Sequence, residues 1–157
     1  MPIEDEIKQS TFSSEKEKLL VNLLFTCGWV ETNQQRFFKQ HGISPQQYNV
    51  MRILRGQKGQ SIPITAVSER MIDRMSNTSR LVDKLCKKGY VNRETCESDR
   101  RAVDLAITES GLQLLWKLDA ELMDLQDKLI TLTEQELIQL STLLDKLRDK
   151  SNYEFNL

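Results

Sequence analysis

Within Met75-Ser76-Asn77-Thr78-Ser79-Arg80, four short hydrogen-bonding side chains stand directly before an arginine. Such side chains compete with the backbone for hydrogen bonds and are poor formers of helix interiors. Two chemistries follow from that cluster. Ser76, Asn77, Thr78 and Ser79 could serve as caps alone, or they could offer hydroxyls and an amide, with Arg80, to the polar edges of base pairs. Arg74 precedes the cluster, and Lys84, Lys87 and Lys88 follow it at spacings suited to phosphate contacts. Other chemistries lack their parts. The one histidine, His41, has no G-x-S-x-G or P-loop sequence beside it, so no enzymatic activity is expected. Cys27, Cys86 and Cys96 have no C-x-x-C spacing, which argues against a disulfide framework and a structural zinc site. No cofactor or metal is expected.

The elements that must position this cluster are legible from local signals. Ser14-x-x-Glu17 reads as a capping box, opening a helix that carries Leu19, Leu20, Leu23, Leu24, Cys27, Phe37 and Phe38 and closes at His41-Gly42. Ser44-Pro45-Gln46-Gln47 opens a second helix that buries Tyr48, Met51 and Leu54 and stops at Gly56. Ser61–Ile64 is a short extended piece, an edge at best because of Pro63. Two brief helices are expected at about Thr65–Met71 and Met75–Lys88, joined at Ile72-Asp73-Arg74, with Asp73 the better cap candidate of Asp73 and Arg74. Tyr90–Thr95 and Arg101–Ile107 alternate as strands around a charged hairpin tip. Thr108 begins a long helix with a leucine stripe from Leu112 to Leu129, and a capping box at Thr133-x-x-Glu136 starts the last helix. The expected fold is mainly α with a small β-hairpin wing. A winged helix-turn-helix lobe spans residues 44–108, and residues 1–43 and 109–157 form a helical region from both termini.

Charge divides along the same lines. The 157-residue chain has a net charge of −1. Arg52–Arg101 alone carries twelve lysines and arginines against six acids, a net of +6, and the remainder is −7. A basic middle between acidic ends is the footprint of a polyanion binder, although a solvated basic face would look the same. The apolar run around Leu19–Val30 is interrupted by Asn22, Thr26 and Gly28 and falls short of the roughly 20 residues a bilayer requires. Three sparse cysteines and an acidic start (Glu4, Asp5, Glu6) lead to cytoplasmic residence as the expectation.

Helix, tight turn, helix and hairpin is the order of a winged helix-turn-helix, whose second helix fits the major groove of DNA. The stretch Ser79-Arg80-Leu81-Val82-Asp83-Lys84-Leu85, then Lys88-Gly89-Tyr90-Val91-x-Arg93, then Asp99-Arg100-Arg101-x-Val103-x-Leu105-x-x-Thr108 resembles the MarR family of bacterial transcriptional regulators. The resemblance implies a symmetric homodimer on a pseudo-palindromic double-stranded DNA site, acting as a repressor. It places Ser76, Asn77, Thr78 and Arg80 toward DNA from a recognition helix at about Met75–Lys88. Asp99 would brace the wing, and Arg100 or Arg101 would reach the minor groove or its phosphates. The turn departs from the Gly and Ser cap frequent in the family, with Ile72 and Arg74 there instead.

Leucine stripes on three long helices independently favour a dimer over a monomeric bundle, because they are more apolar face than one small lobe buries. The resemblance further implies a small aromatic or phenolic effector, for which Trp29, Tyr48, Met51 and Met71 are candidates; the alternative is that they are plain core. A redox-responsive regulator using Cys27, Cys86 or Cys96, and a winged-helix protein-interaction module, are the rival readings.

Overall fold

Helix starts follow the short polar caps. In the computed structural model, which describes residues 1–95 and 103–149, the Ser14 side chain accepts the Glu17 N–H and opens a helix over Glu15–Gln40. The box is only half formed: the Glu17 carboxylate takes the N–H and hydroxyl of Ser13 rather than the Ser14 N–H. Before it lies a short helix that local signals did not announce, α1 (Ile3–Ile7), making the 26-residue helix α2. Ile3 is buried, and Lys18 of α2 pairs with Glu4. α2 ends at His41, and Gly42 follows with φ +70°, a left-handed turn that glycine adopts without steric cost.

Ser44 and Gln47 close a full capping box on α3 (Pro45–Arg55), with Pro45 in the first turn. Then come β1 (Ile62–Pro63), α4 (Ile64–Arg70), α5 (Thr78–Lys87), β2 (Val91–Thr95) and β3 (Val103–Ile107). The hairpin is one part of a three-stranded antiparallel sheet in the order β1-β3-β2. Pro63 pairs opposite Asp104 and Ile62 opposite Leu105, while Val91 faces Ile107 across the hairpin. The expected edge position of Pro63 is therefore borne out, with a two-residue strand built around it.

The chain divides into two compact units, Met1–Leu115 and Trp116–Leu157. The first is cored by Val50, Met51, Leu54, Val67, Met71, Val82, Leu85, Val91, Leu105 and Leu115. α3, α4 and α5 supply most of that cluster and the strands close it. α6 (Glu109–Leu129) starts there. Thr108 donates its hydroxyl to the Gly89 carbonyl and accepts the Gly111 N–H, and its own N–H reaches the Tyr90 carbonyl. Gly111 is required at this contact, since a Cβ would lie 2.4 Å from the Tyr90 oxygen and 2.8 Å from Ile107 Cγ1.

The second unit holds the rest of α6 and α7 (Glu134–Leu147), which opens on the full Thr133/Glu136 capping box. α7 buries no residue, and Leu137, Ile138, Leu140 and Leu143 are all exposed. Much of α2 is equally bare: Leu19, Leu20, Leu24, Phe25 and Trp29 are exposed, and Phe38 alone is buried. Among the described residues, no helix is long and apolar enough to cross a membrane.

Candidate nucleic-acid interface

α5 has a sharp division of faces. Thr78, Val82 and Leu85 follow the helical repeat into the core, and Ser79, Arg80, Asp83, Lys84 and Lys87 face outward. The helix begins later than local signals suggest. Its N-cap is Asn77, whose side-chain oxygen accepts the Arg80 N–H at 3.0 Å, so Met75 and Ser76 belong to the preceding turn. Asp73, the favoured cap candidate, organises that turn instead. Its carboxylate accepts the Met75 N–H at 3.0 Å and the Ser76 hydroxyl at 2.7 Å.

Thr78 corrects the expected set of DNA-facing residues. Its side chain is buried, and its hydroxyl donates to Ser68 Oγ of α4 at 3.1 Å. The contact fastens the start of α5 to α4, and Thr78 is unavailable to a partner outside. Arg74, Asn77, Arg80 and Lys84 are exposed and Ser76 is half-buried. Asn77, Arg80 and Lys84 follow the helical repeat along one face from the amino end of α5, whose peptide dipoles favour an approaching anion. Asp99, Arg100 and Arg101, expected at the wing, lie outside the described residues, as does Cys96.

Three contacts that position this surface were not read from the sequence. Asn49 of α3 accepts the Ile72 N–H at 2.9 Å through its side-chain oxygen. Lys88, just past α5, donates its ammonium to the Gly42 carbonyl. Asp83 on α5 forms an ion pair with Arg93 of β2, tying the helix to the hairpin. Only the last had a local signal, since both residues belong to the matched pattern; the other two join residues too distant in sequence for any spacing rule.

The four candidate effector residues differ in their surroundings. Met51 and Met71 are buried members of the core cluster. Tyr48 packs at its margin, with its ring 4.6 Å from that of Phe38 and its hydroxyl bonded to Arg52. Trp29 stands apart on α2, where it borders a hollow of about 400 Å³ with Ile3, Glu6 and Phe25. Cys27 is exposed. Burial pushes the half-buried Cys86 thiol up; Arg93 draws it partly back, and Asp83 adds to the rise. Among the described residues, no group of histidine, cysteine or carboxylate side chains could hold a metal ion.

Comparison with known proteins places this geometry. The MarR family model matches residues 43–103, which run from the end of the α2–α3 turn to the first residue of β3. Over that segment the chain is similar to the MarR family. It is 29% identical to the transcriptional repressor MprA of Escherichia coli K12 over 83 residues, covering 53% of this chain and 47% of MprA. The chain thus matches about half the length of that relative. The HTH-type transcriptional regulator PrsX of Escherichia coli is 29% identical over 143 residues, 87% of this chain and 86% of PrsX. A MarR family transcriptional regulator from Streptomyces coelicolor, solved in complex with DNA, superposes with a TM-score of 0.77 at 20% identity over 92% of each chain. That likeness shows the fold, a MarR-type winged helix with a mainly helical remainder.

Proposed function

We propose that this chain is a regulator of the MarR type, which binds double-stranded DNA sequence-specifically as a homodimer and represses transcription. The observation that carries the reading is the outward face of α5. Ser79, Arg80 and Lys84 project from a helix whose opposite face is locked by Thr78, Val82 and Leu85, within a segment of net charge +6. In this reading α5 enters the major groove, with Arg80 at base edges and Arg74 and Lys84 on phosphates. Arg100 and Arg101 serve the adjacent minor groove. Residues 44–108 are the DNA-binding lobe; residues 1–43 and 109–157 form the dimerisation region, and the bare apolar faces of α2 and α7 support that role. A small aromatic effector completes the proposal. Trp29 beside its hollow is the part of the candidate pocket that supports it.

Selection of bound duplexes from a random pool, followed by gel-shift titration, tests the reading. Arg80→Ala is expected to weaken binding about ten- to a hundredfold, the worth of one good base contact. Arg100→Ala/Arg101→Ala should weaken it too, with the dimer intact by size-exclusion chromatography. Lys84→Ala should flatten the salt dependence by about one phosphate's worth. Enrichment of no duplex, or unchanged affinity in the Arg80 and wing variants, overturns the proposal. Quenching of Trp fluorescence by a phenol that also releases the duplex tests the effector.

A further inference from the structure

Apart from the terminal Met1, the barest large apolar side chains among the described residues are Ile72 and Met75, 88% and 94% exposed. They lie in the turn between α4 and α5, and that turn is braced. Met71 on one side and Thr78 on the other are buried anchors. Asn49 holds the Ile72 N–H, and the Asp73 carboxylate holds the Met75 N–H and the Ser76 hydroxyl. Ordinary turns of this kind are polar, because an apolar side chain there forgoes burial altogether. Here the backbone is fastened so that two such side chains stand outward, with Arg74 between them and the Asn77 cap of α5 close behind.

We infer that Ile72 and Met75 form an apolar pad that packs against the C5-methyl groups of thymine in the major groove. The inference rests on the DNA-binding reading above and names a determinant of its specificity. A thymine methyl is the one apolar group that the floor of the major groove presents, and it separates T·A from C·G pairs. Charge decides for DNA over a second protein surface. The pad flanks exposed Arg74 and directly precedes α5 with its exposed Arg80 and Lys84, in a segment of net +6 complementary to a polyanion. The bare leucines that a second copy would cover lie on other helices.

The probe is the duplex selected by the intact wild-type protein, resynthesised with uracil for thymine one position at a time, which deletes a single methyl group. At least one replacement should weaken wild-type binding about fourfold, the value of one buried methyl group. Ile72→Ala or Met75→Ala should weaken binding to the thymine duplex and abolish the uracil penalty. Both side chains are exposed, so the variants retain the fold, checked by circular dichroism. Uracil replacements that never weaken binding, or penalties equal in wild type and both variants, overturn the inference while leaving DNA binding in place. Altered mass in solution with unchanged affinity for the duplex assigns the pad to a protein contact and also overturns it. Enrichment of no duplex at all removes the underlying reading, and the pad with it.

Discussion

Thr78 and Ser79 are neighbours of similar chemistry with opposite fates, because the helical repeat turns one into the core and the other to solvent. The Thr78 hydroxyl is a structural fastener on Ser68. Thr78→Val should therefore lower stability by about 1 kcal/mol in urea unfolding, since it leaves the Ser68 hydroxyl without that donor. Duplex preference should stay as it was, which separates Thr78 from Arg80. The thiols diverge in the same way. Burial holds Cys86 above the ordinary thiol range, so at neutral pH it stays protonated and a weak nucleophile. Iodoacetamide labelling of the native protein, mapped by peptide mass, should mark exposed Cys27 ahead of Cys86. Labelling of Cys86 should accelerate only as pH climbs past the usual thiol range.

Caps written within four residues were legible, and those settled by distant partners were not. Ser14, Ser44 and Thr133 each open the helix expected of them, because donor and acceptor belong to one turn. Before α5, Asp73, Ser76 and Asn77 are all competent caps. The choice is made by Asn49 on Ile72 and by Ser68 on Thr78, contacts spanning 23 and 10 residues. The pairing of β1 with β3 is invisible locally for the same reason. The candidate site was legible as a segment and a set of side-chain types, but not in the orientation of Thr78 or the separation of Trp29 from Met51 and Met71. At the start of α6, Gly111 lets the helix lie on the Tyr90 carbonyl. Gly111→Ala should cost about 1–3 kcal/mol as that backbone is forced apart, read as a lower Tm by calorimetry.

For the whole molecule, the salient quantity is the apolar surface left outside. Leu24 is 72% exposed on α2 and Leu143 62% exposed on α7, more than a lone chain of this size ordinarily tolerates in continuous faces. Sedimentation equilibrium should give twice the chain mass, and Leu24→Asp or Leu143→Asp should shift it toward one chain while helicity is retained. The same variants should lose affinity for a two-half-site duplex, because each half then binds without its tethered neighbour. One flank of the sheet, in contrast, is closed to company. Its β1 flank is two residues long, and one of them is Pro63, which has no amide to donate. A stray strand arriving there finds almost no ladder to extend, so on that flank the lobe resists amyloid-like stacking even at high concentration.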